Sequence, residues 1–382
     1  MATAVKPHLR GRIERVRKTE AGNPRILAIG VANPPHRFTQ EEAYRLAGYD
    51  SPRILDIFLN SDIDYRYFYV DPERVNRHET PDELNQRYLR GAMETGCRAV
   101  ETCLASASLT PRDVDLFVVS TCTGYVCPDV GTRLIGHMGF RSDVERAPLV
   151  GLGCAGALPA LQRAWDYARA RPGRLALALA VEICSASYYL DHTLETAVAN
   201  AICADGAAAL LLSTTAAPNH CKFQGRGLDG PNGTNAARLP EVVDFESFLD
   251  PEQIDKVGFE QREGKLRIIL AALIRDLAVP MIERALDPLL ERNGLTRGDI
   301  RFWVAHPGGR KVIDNVQKQM GLTEEQLRHS KTVMRNYGNM SSPTVMFVLD
   351  EVERNGNPRA GDWGVMIALG PGMAAETALL KW

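Results

Sequence analysis

Short, continuous apolar runs recur along this chain, and stretches of helical periodicity separate them. The runs are Arg25–Ala32, Leu116–Ser120, Ala147–Leu152, Leu175–Val181, Ala207–Leu212, Phe302–Ala305, Gly364–Leu369 and Glu376–Leu380. Runs without polar alternation predict strands covered on both faces. Between them the pattern predicts helices over Arg53–Asn60, Asn85–Ser106, Val130–Gly139, Ala157–Ala170, Thr193–Cys203, Ile268–Asn293, Lys311–Met320 and from Asn339 to Val352. Thr39 followed by Glu42 reads as a capping box opening another helix. Pro280 should break or kink its helix. Ile63–Val70 is aromatic and β-prone, and Asn219–Asp250 is Gly-, Pro- and Asn-rich, as a crossover or lid would be. Strands alternating with helices point to an α/β fold. We divide it into halves at 1–220 and 221–382. No sequence repeat is visible, but the halves share one grammar.

Composition narrows the function classes. The chain has 382 residues, 45% hydrophobic and 24% charged, as in a soluble globular protein. Its net charge is −2 with no basic block, so neither nucleic acid nor an anionic membrane is expected as partner. No apolar run reaches the ~18 residues of a spanning helix. Met1–Asn23 is charged, lacks a signal-peptide core and reads as a loose arm. The eight cysteines form no C-x-x-C pair, which argues against zinc ribbons and redox motifs. They read as reduced thiols in a cytoplasmic protein.

Candidate chemistry begins at Val150-Gly151-Leu152-Gly153-Cys154-Ala155-Gly156-Ala157-Leu158. A strand breaks at Gly153, and a helix follows. That arrangement aims Cys154 out of a sheet at a helix N-terminus, where negative charge is favoured. The competing reading is a buried structural thiol. His306 lies at another strand end, in Ala-His-Pro-Gly-Gly, and Asn339 in Tyr-Gly-Asn-Met-Ser-Ser. Alone, the histidine could be a hydrogen-bonded structural residue and the asparagine a turn or cap. Together, cysteine and histidine supply an activated nucleophile, and asparagine adds a neutral donor. Gly308-Gly309-Arg310-Lys311 places two cations at a helix start, suiting an anion or, equally, a solvated basic turn.

These residues resemble a known family. Gly-Cys-Ala-Gly-Ala around Cys154, His-Pro-Gly-Gly-Arg-Lys-Val-Ile-Asp from His306, Tyr-Gly-Asn-Met-Ser-Ser around Asn339 and Gly-Pro-Gly-Met from Gly370 resemble type III polyketide synthases, the chalcone synthase-like enzymes. Ala204–Ala209 and Ser120–Gly124 extend the likeness, which runs from Ile26 to Trp382. Within the family the chain most resembles the bacterial branch containing dihydroxyphenylacetyl-CoA synthase, through Ile57–Ser61, Gly309–Asp314 and the Trp382 ending. Tetrahydroxynaphthalene synthases are a second relative.

The resemblance implies a thiolase-like five-layer αβαβα sandwich of two similar halves, working as a homodimer. It implies that Cys154 takes an acyl group from a coenzyme A starter. His306 pairs with the thiolate and, with Asn339, holds the thioester oxygen of malonyl-CoA during decarboxylation. An enolate oxygen needs preorganised donors in a dry site, which an imidazole and a carboxamide supply. Malonyl-CoA and an acyl-CoA are then substrates, and no metal or electron-sink cofactor is required. Coenzyme A phosphates would lie near Gly308, Gly309, Arg310 or Lys311, with Arg66 a further candidate. The chain lacks the lysines that plant members carry near Asn60.

The same resemblance assigns a pocket. Cys203 stands where plant members have a gatekeeper phenylalanine, and Ile268 matches the second gatekeeper. Cys122 and Cys184 replace starter-pocket threonines, as in the malonyl-primed bacterial enzymes. Ser187 and Ser341 line the pocket, and Cys127 matches a position that reaches into the partner's cavity. Small packing residues are the alternative reading for these thiols. The expected product is a malonyl-derived polyhydroxylated aromatic; a fatty-acyl-primed alkylpyrone or alkylresorcinol is the alternative within the family. An initiating ketoacyl-carrier-protein synthase shares the Cys-His-Asn set, but Gly-Asn-Met-Ser-Ser and Gly-Pro-Gly-Met argue against it. A cysteine-dependent thioester hydrolase and a non-catalytic subunit are readings from other classes. The second conflicts with the intact Cys154, His306 and Asn339.

Overall fold

The computed structural model describes residues 22–73, 79–187, 193–214, 239–271 and 273–382. Cys221, residues 219–238 of the expected crossover and nearly all of the N-terminal arm lie outside the described residues. The first half contains β1 (Arg25–Ala32), β2 (His36–Thr39), α1 (Gln40–Ala47), α2 (Pro52–Leu59), β3 (Tyr65–Phe68), α3 (Pro81–Ser106), β4 (Leu116–Thr121), α4 (Val130–Met138), β5 (Glu145–Val150), α5 (Ala157–Ala170), β6 (Ala176–Ile183), α6 (Leu194–Ile202) and β7 (Asp205–Ser213). The second contains β8 (Glu241–Leu249), β9 (Val257–Arg262), β10 (Lys265–Leu270), α7 (Ile274–Arg292), β11 (Ile300–Ala305), α8 (Arg310–Met320), α9 (Glu324–Tyr337), α10 (Pro343–Asn355), β12 (Trp363–Gly370) and β13 (Ala374–Lys381).

The strand order is β11-β12-β13-β8-β1-β7-β6-β4-β5. Among the described residues its halves join where Arg25 pairs with Glu241, flanked by bonds from Ile26 N to Pro240 O and from Val242 N to Pro24 O. Outward from that junction each half repeats one pattern. β1/β7 and β7/β6 are antiparallel and β6/β4 parallel. β8/β13 and β13/β12 are antiparallel and β12/β11 parallel. The shared grammar of the halves is therefore a shared topology, with His306 following β11 as Cys122 follows β4.

Period-two alternation sorts the strands between layers. Ala176, Ala178 and Ala180 of β6 face a central core with α5 and α10, whereas Leu177, Leu179 and Val181 face α3. The other half-sheet packs on α10 and α5 with one face and on α7 and α8 with the other. The order helix, sheet, helix, sheet, helix is the five-layer sandwich expected from the sequence. Ala157, Ala160, Ala164 and Ala168 give α5 a narrow face that fits between two sheets.

The structure departs from the sequence pattern, or adds to it, in four places. Ala147–Leu152 reads as a buried strand, but β5 is an edge strand with Val150 45% exposed. Ile268 belongs to a hairpin, β9–β10, paired with Phe259, and α7 begins only at Ile274. The run Leu266–Leu270 satisfies either period, and pairing with Val257–Gln261 decides it. α7 runs through Pro280 and Pro288, because Ala278, Ile282, Leu286 and Leu289 bury a continuous face. α9, a polar stretch with few apolar positions, forms behind a Thr323–Gln326 capping box.

Candidate active site

Cys154 lies in a single 3-10 turn, Gly153–Ala155, between β5 and α5. Gly153 has φ 49°, and a Cβ there would collide with the Pro371 ring. A Cβ on Gly370 would lie 2.6 Å from the Ala155 Cβ and 2.7 Å from the Leu152 carbonyl. The Gly-Pro-Gly turn of the second half thus presses directly on the cysteine turn of the first, and glycine is what permits it.

The Cys154 sulfur is half-buried, within hydrogen-bonding reach of the Ser341 hydroxyl, with Cys203 and Glu182 nearby. Burial opposes the thiolate that the helix terminus is expected to favour. Burial pushes the thiol up to about 12, against a smaller stabilising contribution from Ser341. His306 follows β11 and is anchored by its backbone N–H to Ile367 O at 2.8 Å. Both ring nitrogens are buried, without a hydrogen-bond partner among the described residues. Burial holds the imidazole down to about 4, so the ring is neutral at physiological pH. A neutral ring carries one N–H donor and one acceptor nitrogen.

Asn339 joins the two sides. Its Nδ2 donates to Gly308 O at 2.9 Å, and its Oδ1 accepts from the Ser341 N–H at 2.8 Å. Its backbone pairs with the end of α6, donating to Ile202 O and accepting from Ala204 N, both at 2.8 Å. Ser341 has φ 57°, a strained conformation for serine, and its hydroxyl lies 3.6 Å from the Cys122 sulfur. Cys154, Ser341, Asn339 and the His306–Gly308 turn form one connected group.

The other assigned residues distribute unevenly. Cys122, Cys184 and Ser187 line the same region, and the Ser187 hydroxyl donates to Cys184 O at 2.9 Å. The Cys203 thiol hydrogen-bonds Cys184, whose own thiol is raised well above the ordinary value by that contact and by burial. Ile268 lies on β10, which packs against α6 and the Cys184–Ser187 turn. Cys127 is exposed. Arg310 lies 3.6 Å from the Asp62 carboxylate, and Lys311 is exposed. Arg66 does not fit a phosphate contact. It is fully buried, stacks on Phe58 and Phe68, and donates to Asn200 O at 2.6 Å and Cys203 O at 2.8 Å. Its guanidinium pins the end of α6 instead.

The sequence assigns no role to two buried carboxylates. Glu182, at the end of β6, accepts from the backbone of Cys122 and Thr123 and from the hydroxyls of Thr123 and Ser342. Asp205 accepts from Tyr69 N, Ser185 N and Ser185 Oγ, and burial raises it to about 6. A lone acid near the end of one apolar strand (Glu182) and at the start of the next (Asp205) is the signal, since buried acids require dedicated donors. Among the described residues no group of three or more His, Cys, Asp or Glu is placed to hold a metal, and no helix is long and apolar enough to cross a membrane.

A family model for "Chalcone and stilbene synthases, C-terminal domain" matches residues 247–382, and one for "FAE1/Type III polyketide synthase-like protein" matches residues 69–226. A 3,5-dihydroxyphenylacetyl-CoA synthase of Amycolatopsis balhimycina is 33% identical, covering 94% of this chain and 93% of that protein. The structure of PKS-I from the brown alga Ectocarpus siliculosus is 29% identical with a TM-score of 0.79, covering 94% of this chain and 98% of the other. The 1,3,6,8-tetrahydroxynaphthalene synthase of Streptomyces coelicolor A3(2) is 25% identical with a TM-score of 0.81, covering 94% and 99%.

Proposed function

Because this chain belongs to the type III polyketide synthases, we propose that it loads a CoA-linked starter on Cys154, extends it with malonyl-CoA and closes a malonyl-derived polyhydroxylated aromatic. The observation that carries the assignment of residues is the Asn339 bridge, which ties the Cys154 side to the His306 turn through Ser341 and Gly308.

Cys154 sulfur attacks the starter thioester carbon. The carbon–sulfur bond to coenzyme A breaks, and the Cys154 proton passes to His306. That neutral ring has a free acceptor nitrogen, and coenzyme A leaves as thiolate and takes the proton. Malonyl-CoA then loses carbon dioxide, leaving an enolate. Its oxygen receives the N–H of His306 and the second N–H of Asn339, whose first is held by Gly308 O. The enolate carbon attacks the Cys154 thioester and expels the Cys154 sulfur. The extended chain is then on coenzyme A. A neutral imidazole suits this cycle, because it offers a donor without an acidic proton to quench the carbanion.

The Gly308–Lys311 turn would hold the coenzyme A phosphates at the start of α8. The half-exposed edge of β5 suits pairing with a second copy, as a homodimer. The free thiols and the CoA substrates proposed here support a cytoplasmic location. Likeness to enzymes named for dihydroxyphenylacetyl-CoA and tetrahydroxynaphthalene favours the aromatic product. The test is incubation with malonyl-CoA alone, then with acyl-CoA esters of rising length, with mass spectrometry of the products. An aromatic from malonyl-CoA alone is expected. Release of free acid without carbon dioxide from every ester would replace the reading with a hydrolase.

A further inference from the structure

Glu182 takes no part in the chemistry above, yet both its oxygens are hydrogen-bonded by protein groups in the interior. It is 0% exposed. Its Oε2 accepts from Cys122 N at 2.9 Å, Thr123 N at 3.1 Å and Thr123 Oγ at 2.9 Å, with Thr121 Oγ at 3.4 Å. Its Oε1 accepts from Ser342 Oγ at 2.8 Å. One oxygen therefore grips the corner after β4 in the first half, and the other grips the residue just before α10 in the second. The Thr123 hydroxyl is itself oriented, since it accepts from Ile183 N at 2.9 Å while donating to Glu182.

Each gripped residue adjoins one that faces Cys154. Cys122 lies on the gripped corner, and Ser341 immediately precedes Ser342. Ser341 holds its left-handed backbone between two fixed points, Asn339 Oδ1 on one side and the Ser342–Glu182 bond on the other. A strained residue persists only where its surroundings over-determine it. Removing the Glu182 tie loosens this hold, which Thr344 N shares by donating to Ser341 O at 3.1 Å.

We propose that Glu182 is a positioning residue of the condensing site, tying the Thr121–Thr123 corner to Ser342 and so holding Cys122 and Ser341 against Cys154. The inference rests on the condensing role given to Cys154. The carboxylate accepts only, and its two oxygens have separate duties. A glutamine fits the same place, with its oxygen on the β4 corner and its amide donating to a reversed Ser342 hydroxyl. Glu182→Gln thus keeps the ties and removes the charge, whereas Glu182→Ala removes both.

The experiment compares Glu182→Ala, Glu182→Gln and Ser342→Ala with the unaltered protein. Carbon dioxide release from malonyl-CoA, alkylation of Cys154 by iodoacetamide and thermal unfolding are measured for each. Glu182→Ala should lower kcat by on the order of tenfold or more through misplacement of the site. KM for malonyl-CoA should change little, and Glu182→Gln should recover most of the loss. Ser342→Ala severs one tie and should lower kcat by a few-fold in a folded protein. It decides the matter if Glu182→Ala does not fold. Glutamine as damaging as alanine, or Ser342→Ala with unaltered kcat, overturns the proposal. If the unaltered protein releases no carbon dioxide, the condensing role fails. The alkylation rates then read the geometry alone, and equal rates in all four proteins overturn the inference as well.

Discussion

The Asn339 carboxamide donates to the Gly308 carbonyl at 2.9 Å, two residues beyond His306. With the Asn339 backbone bonds to Ile202 and Ala204, this contact ties the carboxamide to the His306 turn. It also spends one N–H of the carboxamide and leaves a second for the substrate role proposed for it.

Replacing Asn339 with aspartate should therefore be severe. A carboxylate cannot donate to Gly308 O and would repel a developing enolate. The loss should be about 100-fold or more in kcat, the scale for one oxyanion donor. Acyl loading on Cys154, followed by intact-protein mass, should persist, because it does not need the enolate donors. Retained decarboxylation in Asn339→Asp would remove Asn339 from the site.

Much of the fold is legible in the sequence where burial is symmetric. β6 is apolar on both faces, and its helices and neighbours read correctly because each element's pattern has one solution. Legibility fails where tertiary partners choose. Ala147–Leu152 is as apolar as β6, but it ends the sheet and stays partly exposed. Leu266–Leu270 suits helix or hairpin, and β9 decides. In the site, Cys154, His306 and Asn339 announce themselves by residue type and junction. Glu182 does not, because its role lies in donors distant in sequence, and Arg66 misleads, because a cation's sequence context does not reveal its burial.

Cys154→Ala should abolish both acyl loading and product. No other described thiol shares the turn between β5 and α5. Mass spectrometry of the intact protein after exposure to an acyl-CoA should show no adduct at neutral pH. A variant that still makes full-length polyketide would overturn the nucleophile assignment.

The resting pair should titrate as a neutral one. With Cys154 pushed up to about 12 from an ordinary 9.0 by burial, its thiolate fraction at pH 7 is roughly a thousandth of an ordinary cysteine's. Alkylation by iodoacetamide, with Cys154→Ala as background, should rise about tenfold per pH unit between pH 7 and 9 without a plateau. His306, held at about 4 by burial, is charged only below that pH. Acyl loading should then show no inflection near the ordinary 6.5. A plateau in alkylation reached by pH 7 would mean that the thiolate is stabilised before substrate arrives.

Cys203→Phe tests what shapes the product. Cys203 ends α6 with φ −68° and ψ 146°, an extended backbone that phenylalanine adopts without strain. Its N–H and carbonyl bonds, to Ala199 O at 3.0 Å and from Arg66 at 2.8 Å, do not depend on the side chain. The thiol, by contrast, faces Cys184 and approaches Cys154, so an aromatic ring takes up space beside the acyl attachment point. The ring should shorten the longest acyl-CoA accepted and reduce the number of extensions. Loading of the smallest starters should survive. Products from acyl-CoA esters of rising chain length, resolved by mass spectrometry, give the comparison. A profile identical to that of the unaltered protein would show that Cys203 does not border the growing chain. A uniform loss across all starters, with a lowered melting temperature, would show that the ring is rejected by the Cys184 turn.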